Sequence, residues 1–228
     1  MRFISDLEFG QLIDGAQLLR RDLHGPKVYL TGDGRVVKLF RVKRWWSSSM
    51  LYPYSWRFLR NSRRLRRRGL PCVEVEEIFY CRAIRRHGVI YWHLEGRPLD
   101  ALLRSGDPSA SKLYTDYAAY IAALHAQRVY FRSLHPGNIL LLPDGEFGLI
   151  DIADMRFPLR ALGLRERRRN FNHLLRSAEF REVMALYPAE PFIQAYIDEA
   201  RLRSEDIPGL AEALRNDFAA MHRSGESA

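Results

Sequence analysis

Two oxygen-bearing side chains within residues 131–154 are suited to hold a metal ion. Asn138 directly precedes an apolar run at residues 139–142, and Asp151 directly follows another at residues 147–150. Magnesium prefers hard oxygen ligands and takes only one or two from a protein, leaving water and phosphate to complete its octahedron. A carboxylate and an amide oxygen are therefore enough for a magnesium–phosphate site. The structural alternative is that Asn138 caps a loop and Asp151 ends a strand.

A hairpin preceded by a helix is expected to position these side chains. Residues 139–142 predict a short buried strand, residues 143–146 a turn, and residues 147–152 the returning strand, so Asn138 and Asp151 are expected near each other. Ahead of them, apolar side chains recur at helical spacing and stop before Ser133, which places the segment around Ser133 in a loop at a helix end. The residues at that spacing are Leu113, Tyr117, Tyr120, Ile121 and Leu124.

The first part of the chain predicts strands. Residues 28–30 and 35–40 flank Thr31-Gly32-Asp33-Gly34, whose glycines accept the positive φ of a hairpin turn. Two further strands are expected at residues 73–80 and 89–94. Between these two strands, Arg85-Arg86-His87-Gly88 predicts a polar turn.

A basic stretch without acids interrupts the strands. Residues 34–73 contain twelve Lys or Arg and no Asp or Glu. Within this stretch, residues 63–68 fit a helix that Gly69-Leu70-Pro71 stops. This run and the arginines at residues 165–169 are typical of solvated helix faces, and the alternative is a surface for an anionic partner.

The chain becomes mainly helical after Glu95-Gly96-Arg97-Pro98, which predicts a hinge. The expected units are residues 1–94 with the strands, residues 95–223 with the helices, and a disordered tail at residues 224–228. Three later helices are marked by apolar residues at helical spacing. These are Phe171, Leu174 and Leu175, then Phe192, Tyr196 and Ala200, and finally Leu210, Leu214 and Phe218.

Composition indicates a folded, basic protein. Of its 228 residues 47% are hydrophobic, and 36 Lys and Arg against 27 Asp and Glu give a net charge of +9. This charge favours phosphates, nucleic acid or acidic lipid surfaces as partners. Cys72 and Cys81 are too few for a disulfide framework, which predicts core positions in a reducing cytoplasm. We expect no membrane span and no signal peptide, so any membrane contact is expected to be peripheral.

Four segments together resemble a known fold. They are Val36-Val37-Lys38-Leu39-Phe40, Gly69-Leu70-Pro71, Leu134-His135-Pro136-Gly137-Asn138-Ile139-Leu140 and Leu149-Ile150-Asp151. The chain resembles the protein-kinase-like fold, and most closely the small bacterial lipopolysaccharide core kinases that phosphorylate Kdo or heptose, including relatives labelled toluene-tolerance proteins. The resemblance spans about residues 17–175. It implies an α+β chain of two lobes, a strand-rich N-lobe and a mostly helical C-lobe, with ATP and Mg²⁺ as cofactors.

The resemblance also implies roles for single residues. Lys38 would place its ammonium on the nucleotide phosphates, and Asn138 and Asp151 would hold magnesium. Ser133 occupies the position, five residues before Asn138, where kinases carry the catalytic Asp. Asp154 is either a second acid at the site or the cap of a turn.

Three features depart from the kinase pattern or are weakly specified by it. The helix Glu that usually pairs with the strand Lys falls in the acid-free stretch, so Lys38 is expected to pair with Asp151 or with the nucleotide itself. Gly25 and Lys27 would cover the phosphates, or else form a plain turn. His125 and His135 are expected to make structural hydrogen bonds rather than to catalyse.

The expected function is ATP- and magnesium-dependent phosphorylation of a sugar hydroxyl in lipopolysaccharide core. Arginines would bind this or another anionic glycolipid at the inner face of the cytoplasmic membrane. Because a positioned base contributes about 10²–10⁴ in rate, Ser133 leaves open a nucleotide-binding pseudokinase with a regulatory or scaffold role in envelope biogenesis. A third alternative is a nucleic-acid or anionic-lipid binder, although no RNP, zinc-finger or basic-zipper signature supports nucleic acid.

Overall fold

Alternating apolar residues build a sheet in the first part of the chain. The computed structural model describes residues 1–23, 25–41 and 53–225. The chain forms two compact units. The first combines Met1–Glu95 with Gly148–Ala153, and the second combines Gly96–Phe147 with Asp154–Ala228.

The described residues of the first unit form a six-stranded sheet and two helices. Its sheet order is first, fifth, sixth, fourth, third, second; the first and fifth strands run parallel and all other neighbours antiparallel. In chain order its elements are β1 (Arg2–Ile4), α1 (Asp6–Leu12), β2 (Gln17–Asp22), β3 (Gly25–Leu30), β4 (Arg35–Arg41), α2 (Tyr54–Arg66), β5 (Val75–Cys81) and β6 (Arg86–Trp92).

Strand β4 is buried on both faces of the sheet. Successive side chains of a strand point to opposite faces. Val37 and Leu39 join a buried apolar cluster with Phe9 of α1, whereas Phe40 packs against Phe58 of α2, with ring centroids 5.9 Å apart. Lys38 lies on the same face as Phe40, so its ammonium is enclosed by protein.

The predicted hairpin of β3 and β4 is confirmed, and Gly34 in its turn has a φ of 83°. The polar turn predicted at residues 85–88 is wrong, because Arg86, His87 and Gly88 lie in β6. The sequence of that segment is misleading because its glycine serves a close approach and not a turn. A Cβ on Gly88 would lie 2.1 Å from the Phe79 ring.

A later segment of chain completes the first unit. The Leu149 amide donates to the Pro71 carbonyl over 3.0 Å, and the Val73 amide donates to the Leu149 carbonyl over 3.3 Å. Residues 148–153 are thereby hydrogen-bonded to the segment between α2 and β5. Asp151 therefore belongs to the same unit as Lys38.

The second unit is mostly helical. Its core is aromatic and includes the buried Tyr117, Phe171, Phe192, Tyr196 and Phe218. Its elements are β7 (Arg97–Pro98), α3 (Leu99–Leu103), α4 (Ala110–Ala126), β8 (Tyr130–Phe131), β9 (Ile139–Leu141), β10 (Phe147–Leu149), β11 (Met155–Arg156), α5 (Leu164–Leu174), α6 (Ala178–Met184), α7 (Ala189–Glu199) and α8 (Ile207–Gly225). Strand β9 lies between β7 and β10, and β8 pairs with β11; β10 starts in this unit and continues into the first.

The α+β class is confirmed, with a strand-rich first unit and a mostly helical second unit. The predicted helices correspond to α4, α5, α7 and α8, and the helix predicted at residues 63–68 is the last part of α2, which ends at Arg66. The disordered tail is wrong for Ser224 and Gly225, which end α8, while residues 226–228 lie outside the described residues. Cys72 and Cys81 are buried free thiols, as predicted. None of the helices that the structure describes is long and apolar enough to cross a membrane.

Candidate functional site

The first unit contains a buried ion pair between Lys38 and Asp151. Lys38 Nζ lies 2.6 Å from Asp151 Oδ1, and the two side chains are 6% and 28% exposed. The ammonium also lies 5.5 Å from the centroid of the Phe58 ring and 5.8 Å from that of Phe40. Of the two partners expected for Lys38, the structure shows Asp151. Charged side chains are rarely this buried unless they are paired, so the pair is a specific feature of the fold.

Asp151 is ionised and Lys38 is destabilised as a cation. Burial lowers the pKa of Lys38 more than the Asp151 carboxylate raises it. Burial alone would raise the pKa of Asp151, but Lys38, with help from Lys27 and Arg20, holds that pKa below its ordinary value. Three cationic side chains therefore surround one carboxylate. The excess positive charge favours the binding of an anion there.

Arg20 is a candidate site residue that the sequence analysis missed. In the sheet Arg20 of β2 pairs with Val28 of β3, and Val28 pairs with Lys38 of β4. Residues paired across neighbouring strands point to the same face, so Arg20 and Lys38 share a face of the sheet. The hairpin register provides this signal, and it requires recognising β2 as a strand.

Gly25 and Lys27, which were predicted to cover the phosphates from a loop, lie in β3, where Gly25 pairs with Asp22 of β2. Gly25 has a φ of 106°, which favours glycine, and Arg86 Nη1 donates to the Pro26 carbonyl over 2.9 Å. His24 lies outside the described residues. Lys27 acts electrostatically on both members of the ion pair. The contact of Gly25 and Lys27 with phosphate stays a prediction.

The backbone around Asp151 is held on both sides. Leu149 is hydrogen-bonded to the chain before β5, and Asn61 Nδ2 donates to the Ile152 and Ala153 carbonyls over 2.7 and 3.2 Å. Asp151 itself has a φ of 51°. This left-handed conformation is uncommon outside glycine, although Asp tolerates it better than most residues. The fold therefore fixes the carboxylate in an unusual backbone geometry.

Helix α2 carries no acid for Lys38. Residues 34–73 contain no Asp or Glu, and the Phe58 ring lies beside the ammonium instead. The buried polar side chains of the helix are Ser55, Asn61 and Ser62. Asn61 bonds to the backbone after Asp151, so α2 supports the carboxylate indirectly.

In the second unit, Asn138 organises the loop that contains Ser133. Asn138 is 4% exposed. Its Nδ2 donates to the Ser133 carbonyl over 2.9 Å and lies 3.0 Å from His135 Nε2. Tyr117 Oη donates to the Leu134 carbonyl over 2.5 Å, which fixes the same loop to α4. With Nδ2 used for the loop, Oδ1 of Asn138 has no hydrogen-bond partner among the described residues.

Ser133 and Asp154 differ in their surroundings from catalytic acids. Ser133 is half-buried in a turn, and within the described part of the chain its hydroxyl makes no hydrogen bond. Asp154 ends a short 3₁₀ turn, where its backbone carbonyl accepts from the Arg132 amide over 3.2 Å. The catalytic roles predicted for Ser133 and Asp154 stay predictions.

His125 is a buried structural residue. Nδ1 lies 2.8 Å from Tyr196 Oη and Nε2 lies 3.1 Å from Asn170 Oδ1. Asn170 Nδ2 donates to the Phe131 carbonyl over 2.7 Å, so Asn170 Oδ1 is the acceptor and His125 Nε2 carries the proton. Burial lowers the pKa of His125 to about 3, which keeps the ring neutral. This network supports Phe131, two residues before Ser133.

The two predicted magnesium ligands have suitable free oxygens. Asn138 presents Oδ1, and Asp151 has Oδ2 besides the oxygen that binds Lys38. Among residues 1–23, 25–41 and 53–225 no cluster of three or more His, Cys, Asp or Glu could hold a metal. This donor set suits magnesium, which completes its shell with water and phosphate, better than a metal that needs an all-protein cage. Asn138 and Asp151 lie in different units, and their shared site stays a prediction.

No family model and no curated protein matches the sequence. Among solved structures, the bifunctional kinase-methyltransferase WbdD is similar with a TM-score of 0.48 at 16% identity. The structure of WbdD with the kinase inhibitor LY294002 has a TM-score of 0.49 to this chain, and a high-resolution structure of WbdD has a TM-score of 0.47, both at 16% identity. The alignments cover 83% of this chain but only 42–43% of WbdD.

Proposed function

We propose that this chain is an ATP- and magnesium-dependent phosphotransferase of the kinase type. The observation that carries the proposal is the buried Lys38–Asp151 pair on the central strand of the sheet. A structural ion pair in this position gains little, because the desolvation of two charges offsets most of their attraction. A nucleotide site gives the pair a use, since Lys binds phosphate as a point charge and Asp binds the accompanying magnesium.

The charge around the pair supports phosphate as the ligand. Lys38, Lys27 and Arg20 act on one carboxylate, so the cluster has a net charge of +2 (3 − 1). Magnesium at Asp151 would add positive charge, and the triphosphate of ATP would neutralise the set. Bound magnesium would supply charge neutralisation at the transferring phosphoryl group. The protein would hold and orient that phosphoryl group. Asn138 is expected to be the second ligand of magnesium, beside Asp151.

Ser133 determines how fast such an enzyme can be. Phosphoryl transfer depends mainly on positioning and charge stabilisation, so the loss of a base slows it without abolishing it. A missing base corresponds to about 10²–10⁴ in rate. The same residue favours the second candidate function, a nucleotide-binding pseudokinase with a regulatory or scaffold role in envelope biogenesis.

The proposed acceptor is a sugar hydroxyl of lipopolysaccharide core or of another anionic glycolipid. Supporting it are the net charge of +9 and the basic last turn of α2, formed by Arg63, Arg64 and Arg66. Trp56 at the start of the same helix is 39% exposed. Arginine and an interfacial aromatic side chain suit the surface of an anionic membrane. We propose a cytoplasmic protein with peripheral contact at the inner face of the membrane, and no nucleic-acid partner.

Thermal shift with ATP and magnesium tests nucleotide binding. A ligand at 100 times its Kd stabilises a protein by about 2.7 kcal/mol, so a rise in Tm is expected for the parent. In Asp151→Asn the magnesium-dependent part of that rise is expected to vanish. Asp144→Asn is the matched control, because Asp144 lies in an exposed turn and its hydrogen bond to the Glu146 amide can be kept by Asn. If ATP with magnesium stabilises neither parent nor control, both candidate functions fail.

Transfer of labelled phosphate from ATP to purified lipopolysaccharide separates the two functions. The enzyme is expected to transfer phosphate, and Lys38→Met and Asp151→Asn are expected to lose it. Ser133→Asp is expected to raise the rate by about 10²-fold or more, because it supplies the missing base. Nucleotide binding without any transfer, in parent and Ser133→Asp alike, would favour the pseudokinase.

A further inference from the structure

A basic pocket lies in the second unit, outside the ion pair described above. It has a volume of about 390 Å³ and is lined by Tyr130, Arg132, Arg156, Glu166, Arg169 and His173 among others. Strands β8 and β11 supply one wall, since Arg156 pairs with Tyr130 and the Arg132 amide extends the ladder to the Asp154 carbonyl. Helix α5 supplies Arg169 and His173, which lie one helical turn apart.

The arginines of this pocket have no acidic partner in the part of the chain that the structure describes. Across the described residues, no carboxylate lies within ion-pair distance of Arg132, Arg156 or Arg169. Some other arginines of the unit are paired: the neighbouring Arg168 is 2.7 Å from Asp217, and Arg215 is 2.5 Å from Glu190. Three like charges that converge on one cavity repel each other unless an anion enters it.

Glu166, the carboxylate that lines the pocket, already accepts a hydrogen bond from the backbone. Glu166 Oε2 accepts from the Gly163 amide over 3.0 Å, where it caps the start of α5. With three arginines, one glutamate and a neutral His173, the lining has a net charge of +2 (3 − 1).

The remaining polar groups are also hydrogen-bond donors. Burial raises the pKa of Tyr130 although Arg169, Arg156 and Arg132 oppose it, so its phenol keeps its proton. Burial is the main cause that lowers the pKa of His173. The positive charges of four arginines lower it further; these are Arg132, Arg169, Arg176 and Arg156. The positive charges of the pocket therefore act on the His173 imidazole.

We propose that this pocket binds a phosphate monoester through Arg132, Arg156 and Arg169. Guanidinium forks match the geometry of phosphate oxygens, and a monoester carries a charge of about −1.5 to −2, which matches the lining. The volume lies in the range of small-molecule sites and leaves space for a group attached to the phosphate. Arg132 directly precedes Ser133. Where the proposed function holds, the phosphate is therefore a substituent of the acceptor; otherwise it is free phosphate.

Titration of the full chain with inorganic phosphate and with glucose 6-phosphate, without nucleotide or magnesium, tests the site. Calorimetry is expected to show binding that weakens at least tenfold in Arg156→Gln and in Arg169→Gln. Arg165→Gln is the matched control, because Arg165 is exposed on the same helix and does not line the pocket. No binding in the parent, or an equal loss in Arg165→Gln, would overturn the proposal.

The imidazole of His173 gives an independent readout. Because a bound anion offsets the neighbouring arginines, the His173 pKa is expected to rise when phosphate binds, as followed by NMR of the ring. A His173 pKa that phosphate leaves unchanged would overturn the proposal. Tighter binding of glucose 6-phosphate than of phosphate would identify an acceptor substituent, and exclusion of the sugar phosphate would identify free phosphate. Lys38→Met separates the two sites, since it is expected to leave the phosphate-dependent rise of the His173 pKa intact.

Discussion

Removing one member of the Lys38–Asp151 pair should expose the cost of the buried charge. In Asp151→Asn the ammonium keeps its 6% exposure but loses the carboxylate 2.6 Å away. Asn suits the φ of 51° at this position, so the backbone should not add a penalty of its own. Breaking a buried pair in this way typically costs about 3–5 kcal/mol.

The pH sets an upper limit to this cost. The variant can relieve the buried charge by releasing the proton of Lys38, which at pH 7 costs at most about 4.6 kcal/mol, from 1.36 × (10.4 − 7). At pH 9 the same limit is about 1.9 kcal/mol. The folded variant binds fewer protons than its unfolded chain, so its stability rises with pH. We expect a loss of about 3–4 kcal/mol at pH 7 and of at most about 1.9 kcal/mol at pH 9, a decrease of at least about 1 kcal/mol.

Urea unfolding followed by tryptophan fluorescence measures this effect selectively. Trp56 of α2 and Trp92 of β6 lie in the first unit, so their emission reports on its unfolding. In Lys38→Met the carboxylate is left with Lys27 and Arg20, which predicts a smaller loss of about 1 kcal/mol. The double variant Lys38→Met/Asp151→Asn should be more stable than Asp151→Asn alone. If Asp151→Asn lies within about 0.5 kcal/mol of the parent at pH 7, or if the two single losses simply add, the two charges are not coupled as argued.

Three further variants test the fold around the site. Gly88→Ala should destabilise the first unit by about 1–3 kcal/mol in urea because its Cβ meets the buried Phe79 ring, whereas Gly10→Ala, with nothing within 4 Å, should be neutral or stabilising. Asn61→Ala leaves two buried carbonyls unpaired and should cost about 2–3 kcal/mol in the same assay, and an unchanged midpoint would contradict this. Because burial lowers the pKa of His125 from 6.5 to about 3, the unfolded chain takes up a proton that the folded chain does not, so stability falls as pH drops below about 6.5. This group should contribute a loss of about 2–3 kcal/mol by pH 4.5, and His125→Gln should flatten the pH profile measured by urea midpoints.

Local patterns predicted most of the fold. Glycine turn chemistry located the hairpin of β3 and β4, and helical spacing located α4. Strand β2 was not predicted from the sequence, because its residues show no alternation of buried and exposed side chains. Leu18 and Leu19, which are adjacent, are both exposed. Arg20 was missed with it, because the relation of Arg20 to Lys38 depends on a register that only the assembled sheet supplies.

The sequence predicted which residues belong to the candidate site, but not which of them contact each other. Lys38 and Asp151 were both named from their strands, yet more than a hundred residues separate them, so sequence spacing could not choose between Asp151 and nucleotide as the partner of Lys38. The arginine pocket was harder still. Arg132 follows β8, Arg156 lies in β11 and Arg169 lies in α5, and the basic run at residues 165–169 gave no indication that Arg169 meets the other two.

The return of Gly148–Ala153 to the first unit affects the order in which the protein is made. The ribosome must add 58 residues after Glu95 (153 − 95) before the segment that carries Asp151 is complete. At about 5–20 residues per second this takes about 3–12 s. During that interval the nascent sheet contains Lys38 without its carboxylate partner. Burial of the Lys38 ammonium is therefore unfavourable until Asp151 has been added. Completion of the first unit therefore waits for synthesis well into the second.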